Sequence, residues 1–194
     1  MAFVKPAPDS PEASEFYEED RVVDGYVNNS TSVLAWRPEV YRAWRTLSTA
    51  ISAGMDRRRY ELATLAAARQ LRSSYCVLAH GKVLRDQFLS AQQLQDVVLD
   101  HHDAGLAPVD GAVMDFAEKV ARGGADVTEA DVGTLREAGL SDGEIVDIVL
   151  TAAARCFLST ALDALGVQPD AQFVTSLEPD LHDVLTVGRP IASA

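Results

Sequence analysis

The chain has 194 residues, of which 47% are hydrophobic and 24% charged, a composition typical of one globular domain with a substantial core. Its 29 acidic and 17 basic residues give a formal charge of −12, which repels phosphate backbones and anionic lipids, so we expect neither nucleic-acid nor membrane binding. No apolar run approaches the roughly 20 residues that span a bilayer, no secretory signal is visible, and two cysteines are too few for a secreted disulfide framework; these features favour a reducing, cytoplasmic setting.

The hydrophobic pattern along the chain is helical. Residues 1–34 are polar and acidic, which indicates an N-terminal arm that is disordered or packs on a neighbouring subunit. From Pro38 onward, apolar residues recur at helical spacing and glycine or proline separates most segments. The predicted helices cover about residues 38–53, 58–71, 73–88, 90–100, 109–122, 128–139 and 142–165. Alternating strand patterns are absent, so we predict an all-α helical bundle over residues 35–170, followed by a tail over 171–194 that wraps a partner subunit.

One thiol, one imidazole and one acid lie close together in the sequence. Cys76 and His80 are four residues apart, so a helix places them on one face, and the imidazole can then take the thiol proton. Cys76 also falls in the first turn of its predicted helix, which Ser73 or Ser74 can cap, and this position favours a thiolate. Glu61 lies on the preceding helix, from which an antiparallel hairpin could return its carboxylate to the imidazole.

Simpler interpretations of these residues stay open at this point. A single helical cysteine is most often a small buried hydrophobe. A metal site made of Cys76, His80 and Glu61 would be an unusual ligand set, so we expect neither a metal nor a cofactor there. His101 and His102 stand at a predicted helix end, where imidazoles interact favourably with the helix dipole, and we favour this over a metal site.

The spacing of the thiol segment resembles the core motif of the AhpD-like superfamily, which includes alkylhydroperoxidase D and the carboxymuconolactone decarboxylases. That motif is Glu, then Cys-x-x-Cys twelve residues later, then His four residues after the second Cys. Glu61, Ser73, Cys76 and His80 occupy these positions without a gap. The close of the last core helix, Ala164-Leu165-Gly166-Val167-x-Pro169, also resembles the family. The resemblance covers about residues 35–170 and is strongest to the longer "peroxidase-related" members.

The resemblance implies an oligomeric helical bundle that acts as a thiol peroxidase, with Cys76 as the thiolate, His80 as the proton acceptor and Glu61 as its partner. In the family the second cysteine closes a disulfide with the oxidised thiol. Ser73 stands at that position here, and Tyr75 stands where the dithiol enzyme carries a histidine. The implied activity is therefore a single-thiol antioxidant reaction, with a hydroperoxide as substrate and an external thiol as reductant. The implied assembly is a dimer, trimer or hexamer.

Two other functions remain compatible with these residues. His80 and Glu61 could catalyse acid–base chemistry on a lactone or related small acid, as in the carboxymuconolactone branch, without a thiol. The chain could also be a non-catalytic scaffold that senses redox state. Cys156 continues the apolar stripe of its helix, so we predict core packing for it and no resolving role. The arginines at residues 57–59 are predicted to be a solvated face.

Overall fold

The protein is described by a computed structural model that covers residues 2–193. Within these residues it is all-α and has no strand, as the sequence predicted. The helices are α1 (Pro11–Val23), α2 (Asn29–Leu34), α3 (Pro38–Ala53), α4 (Arg57–Gln70), α5 (Ser74–Gln87), α6 (Ala91–Asp100), α7 (Pro108–Gly123), α8 (Glu129–Glu137), α9 (Asp142–Ala164), α10 (Phe173–Ser176) and α11 (Pro179–Leu185). A 3₁₀ turn, Gly124–Asp126, follows α7.

Helix α4 is the centre of the bundle. It packs against α5, α7 and α9, and every residue from Tyr60 to Ala68 is buried. Five of these nine residues are alanine or threonine, whose short side chains let the surrounding helices approach closely. Because α4 is enclosed on all sides, a polar side chain on it is held away from water. This enclosure sets the environment of Glu61.

Helix α9 begins and ends as the sequence predicted. Ser141 and Glu144 form a complete capping box at its start, and Gly166 follows its end with φ at +73°. The expectation that no apolar run is long enough for a bilayer was wrong for this helix. By length and composition alone, Asp142–Ala164 is long and apolar enough to cross a membrane. In the structure α9 packs along α3, α4 and α7, as a core helix of the bundle does.

The N-terminal segment differs from the predicted arm. Residues 11–34 contain α1 and α2, and they contact their own chain. Asn29 donates its backbone N–H to Asp170 over 2.7 Å, and Arg42 pairs with Glu15 at 2.9 Å. The acidic residues that suggested disorder include the acidic partners of arginines on α3, so local composition concealed a tertiary role. The domain boundary near residue 34 stays a prediction.

The C-terminal tail also packs on its own chain, where we had expected it to wrap a partner. Helix α11 contacts α5 and α6, and its Leu181 and Leu185 are buried. Beyond α11, the backbone N–H of Gly188 donates to Oγ of Ser74 over 2.7 Å. Leu185 also lies against Gly81, where an added Cβ would come within 3.0 Å of it. The tail is thereby fastened over α5, the helix that carries the thiol.

Candidate functional site

The hairpin of α4 and α5 brings Glu61 and His80 together. Nδ1 of His80 lies 2.6 Å from Oε2 of Glu61, and the Glu61 side chain is fully buried. The second oxygen, Oε1, lies 2.8 Å from Nη2 of Arg57 as an ion pair, one turn earlier on α4, without full hydrogen-bond geometry. This carboxylate therefore holds one ring nitrogen of His80 and leaves Nε2 for proton transfer.

The environment of His80 favours its neutral form. Burial lowers the pKa of His80 from its ordinary value of 6.5, and the charges of Arg155 and Arg57 lower it further, against the opposing effect of Glu61. Tyr60 packs edge-on against the ring with centroids 6.1 Å apart. A neutral imidazole with a carboxylate on Nδ1 is a suitable proton acceptor near neutral pH.

Cys76 lies one turn before His80 on α5 and is 1% exposed. Its sulfur accepts a hydrogen bond from Nη1 of Arg155 over 3.6 Å. Within residues 2–193 no hydrogen bond joins Cys76 to His80, although the charge of Arg155 acts on both. The predicted proton transfer between them therefore needs a small shift of either side chain or a bridging water.

Arg155 is a site residue that the sequence analysis missed. It lies on α9, is 4% exposed, and stacks over Trp44 with its guanidinium carbon 5.5 Å from the ring centroid. No carboxylate of residues 2–193 pairs with it, and its Nε has no hydrogen-bond partner there. A buried cation without an acid is costly unless another anion compensates it. The signal was present in the sequence, since Arg155 interrupts the apolar stretch of α9.

Ser73 occupies the position of the family's second cysteine, three residues before Cys76, and it is inaccessible to solvent. Ser73 is the N-cap residue of α5, fully buried, and its hydroxyl caps no backbone N–H. Its Oγ has no partner with hydrogen-bond geometry in residues 2–193. Burial raises the pKa of Asp163, and the nearby Ser73 hydroxyl moderates this rise. The predicted capping hydrogen bond is absent, while the predicted helix start is correct to one residue.

The hydroxyl of Tyr75 lies in a hydrogen-bond network that connects three parts of the chain. Its hydroxyl lies 2.6 Å from Oδ2 of Asp170 and 2.9 Å from Oγ of Ser30, so it joins α5 to α2 and to the segment after α9. Burial and the Asp170 charge raise the pKa of Tyr75 well above its ordinary value. This network engages the Tyr75 hydroxyl with Asp170 and Ser30, at the position where the dithiol enzyme carries a histidine.

The structure also bears on the predictions for Cys156 and for the arginines at residues 57–59. Cys156 is half-buried, its sulfur lies 4.0 Å from the Ala121 carbonyl on α7, and burial raises its pKa, in agreement with a packing role. The solvated face predicted for the arginines at residues 57–59 was wrong for Arg58 and Arg59, whereas the Arg57 side chain is 53% exposed. Arg58 and Arg59 both pair with Asp110, which is buried.

An apolar cavity is lined in part by Trp44. It measures about 420 Å³, and its lining includes Trp36, Trp44 and Phe157. Trp44 and Phe157 contact each other with centroids 5.5 Å apart. Trp44 therefore contacts the Arg155 guanidinium and also lines this cavity.

A known protein-family model matches the central part of the chain. The carboxymuconolactone decarboxylase family model matches residues 38–119, a range that includes Glu61, Ser73, Cys76 and His80. Among curated proteins, no sequence matches the chain significantly.

Three solved structures share the fold. The AhpD-core, uncharacterized peroxidase-related protein from Ralstonia eutropha JMP134 is 27% identical with a TM-score of 0.80, over 89% of this chain and 94% of that one. An uncharacterized peroxidase-related protein from Silicibacter sp. TM1040 is 24% identical, TM-score 0.76, over 88% and 90%. A cysteine-to-alanine variant of the debrominase Bmp8, in complex with 2,3,4-tribromopyrrole, is 14% identical, TM-score 0.76, over 93% and 96%. The family match and the AhpD-core structure support a place for this chain in the AhpD-like carboxymuconolactone decarboxylase superfamily.

Proposed function

We propose that the protein is a single-thiol oxidoreductase of the peroxidase-related type, in which Cys76 reduces a hydroperoxide. The observation that carries this proposal is the buried arrangement of Glu61, His80, Cys76 and Arg155. It supplies an oriented proton acceptor, a nucleophile, and a cation without an acidic partner. The likeness to a peroxidase-related protein over most of both chains supports the same class.

The first step is the attack of the Cys76 thiolate on the peroxide. His80 accepts the thiol proton through Nε2, and Arg155 stabilises the negative sulfur that remains. The sulfur then bonds to one peroxide oxygen while the O–O bond breaks. The departing alkoxide takes the proton from His80, so the products are one alcohol and one sulfenic acid.

The second step needs an external thiol. With Ser73 at the resolving position, the sulfenic acid cannot close a local disulfide. One thiol condenses with it and releases water, and a second thiol then displaces Cys76 as a thiol, leaving a disulfide of the two reductant molecules. Cys76 is 1% exposed, so side chains around it must move to admit the reductant. Both cysteines are free, which suits the reducing, cytoplasmic setting that we propose for this cycle.

The test is intact-mass analysis after addition of an organic hydroperoxide. We expect one oxygen on Cys76 that disappears when a thiol is added, and we expect no such adduct in Cys76→Ser. Cys156→Ser is the matched control and should behave as the parent protein. Thiol-dependent peroxide turnover that persists in Cys76→Ser would contradict the proposal, and an unreactive Cys76 would favour the non-catalytic scaffold.

The acid–base function remains a second candidate because of one specific observation. The pKa of His80 is lowered, so a neutral base oriented by Glu61 is present without any contribution from the thiol. Decarboxylase or isomerase activity retained in Cys76→Ala and lost in His80→Ala would select this candidate.

We propose that the chain forms a homo-oligomer through the outer faces of α3 and α9. Val146, Leu150 and Phe157 of α9 are each 44–54% exposed, and Leu47 of α3 is 51% exposed. Two adjacent exposed apolar stripes are typical of an interface. Light scattering should show a multimer, and Phe157→Glu should shift it toward the monomer.

A further inference from the structure

Two histidines and one aspartate converge at the junction of α6 and α7. His101 is the C-cap residue of α6 and His102 follows it, while Asp115 lies on α7. Nε2 of His101 lies 2.9 Å from Oδ1 of Asp115, and Nε2 of His102 lies 3.2 Å from the same oxygen. The two imidazole rings face each other with centroids 4.3 Å apart. The three donor atoms lie within 4.8 Å of one another.

The two distances from Asp115 are close to those between ligands of one metal ion. Zn²⁺ binds imidazole nitrogen and carboxylate oxygen at about 2.0–2.2 Å, so two tetrahedral ligand atoms are about 3.3–3.5 Å apart. The two Asp115 contacts, at 2.9 and 3.2 Å, need to widen by only a few tenths of an ångström. His101 is 7% exposed and is therefore held in place, while His102 is 62% exposed and can adjust.

The electrostatic surroundings favour a cation. His101 and His102 stand at the carbonyl end of α6, where the helix dipole is negative. Lys119, a cation that lines the same cavity, pairs with Asp131 at 2.6 Å. Lys119 and Thr128 lower the pKa of Asp131 to about 2, so this ion pair stays ionised. The formal charge of the chain is −12.

A cavity of about 480 Å³ adjoins the three side chains, and it is also lined by Lys119, Asp131 and Thr134. Three protein ligands beside an open, partly polar cavity leave a coordination position for water or a small ligand, unlike the closed four-ligand pattern of structural zinc. Asp115 is 51% exposed, so an ion can enter from solvent.

We propose that His101, His102 and Asp115 form an open three-ligand site for a divalent first-row transition ion of the Zn²⁺ type. The sequence analysis had favoured a helix-end role for the histidines, because it could not place Asp115 beside them. The site shares no residue with the thiol arrangement of Glu61, Cys76 and His80. Its existence is therefore independent of the proposed oxidoreductase function.

The test is titration of the full-length Cys76→Ser/Cys156→Ser protein with Zn²⁺ by calorimetry and with Co²⁺ by visible absorption. Removing both thiols excludes thiolate binding from the readout. We expect saturable binding of one ion per chain, with Co²⁺ d–d bands of a nitrogen–oxygen ligand set. Asp115→Asn and His102→Ala should each weaken the affinity at least about tenfold, since the loss of even an outer-sphere partner reaches that scale.

Asp103→Asn is the matched control, because it removes the same charge from an exposed position beside the cluster. It should leave the affinity within about twofold of the parent, since it removes no ligand and acts only through a screened charge. Binding that is absent or not saturable would overturn the proposal, as would equal affinity in the parent and in Asp115→Asn. His102→Ala replaces an exposed side chain, so the test does not depend on a variant with an altered core.

Discussion

The guanidinium of Arg155 donates a hydrogen bond to the sulfur of Cys76 across 3.6 Å, from a residue 79 positions further along the chain. This contact joins α9 to α5 and lies outside the segment that carries the family motif. The buried thiol therefore lies near two groups of different kinds: an imidazole one turn away on its own helix, which can accept a proton, and a permanent cation on another helix, which can stabilise negative charge.

Replacement of Arg155 should slow the oxidation of Cys76. A hydrogen bond to a charged group contributes about 1.5–3 kcal/mol, so Arg155→Met should reduce the rate of sulfenic acid formation by about tenfold or more. Arg155→Lys keeps the charge and should recover part of the rate. The rate is measured by trapping the sulfenic acid at successive times after peroxide addition. Equal rates in the parent protein and Arg155→Met would show that the contact is only structural.

The lowered pKa of His80 predicts a specific loss of stability in acid. The unfolded chain protonates this residue near pH 6.5, whereas the folded protein does so only at lower pH. Between these two values the unfolded state binds more protons, so the stabilising contribution is complete above about pH 6.5 and is lost as pH falls through the folded pKa.

His80→Asn tests this prediction, because its amide can still donate to Glu61 but does not titrate. Urea unfolding of both proteins should show a difference in unfolding free energy that changes as pH falls below about 6.5, to the disadvantage of the parent. A difference that stays constant with pH would be evidence against a lowered pKa.

Ser73→Cys should convert the site to a two-thiol form. The new sulfur stands three residues before Cys76 at the start of α5, the spacing at which Cys-x-x-Cys pairs form disulfides. After peroxide addition, mass analysis should show loss of two hydrogens and no lasting oxygen adduct. Ser74→Cys is the control, because Oγ of Ser74 faces Gly188. A stable sulfenic acid in Ser73→Cys would contradict the assignment of residue 73 to the position of the family's second cysteine.

Tyr75→Phe should destabilise the protein without abolishing the peroxide reaction. The change removes the donor that lies 2.6 Å from Oδ2 of Asp170 and leaves a buried carboxyl short of a partner, which costs about 1–3 kcal/mol. Urea unfolding gives this cost. Tyr60→Phe is the comparison. The Tyr60 hydroxyl lies 3.4 Å from the Ser48 hydroxyl, so its removal should reduce the unfolding free energy less. A large loss of Cys76 oxidation in Tyr75→Phe would instead show that the tyrosine takes part in the peroxide reaction.

Gly188→Ala should loosen the C-terminal tail. A Cβ on Gly188 would lie 2.0 Å from the backbone oxygen of Arg72, so the chain must shift there, at a cost of about 1–3 kcal/mol. Hydrogen exchange of α11 should increase. Gly133→Ala on α8 meets no atom within 4 Å and should be stabilising by about 0.5–1 kcal/mol. An unchanged tail in Gly188→Ala would show that its docking does not depend on this close approach.

The sequence predicted most of the helical bundle because its signals are local. Glycine, proline and capping residues fix helix ends within a few residues, and the Ser141–Glu144 capping box is a direct example. The pairing of Glu61 with His80 followed from the hairpin that α4 and α5 form. These features depend on neighbours in the chain, which a sequence shows.

Features that depend on distant neighbours were missed. Arg155 reaches Cys76 only because α9 crosses the α4–α5 hairpin. Asp115 meets His101 only through the turn between α6 and α7. The acidic N-terminal residues gave the wrong impression of disorder, because their arginine partners lie on α3. In each case a polar residue takes its role from a partner that local spacing does not reveal.

The contacts of Trp44 have a practical consequence for the thiol. The guanidinium carbon of Arg155 lies 5.5 Å from the centroid of the Trp44 ring. The same ring packs against Phe157, with ring centroids 5.5 Å apart. Added oxygen on the Cys76 sulfur enlarges the group that Arg155 must accommodate, and the indole is the next group in contact. The fluorescence of Trp44 thus offers an intrinsic optical signal for the chemistry of a sulfur that solvent does not reach.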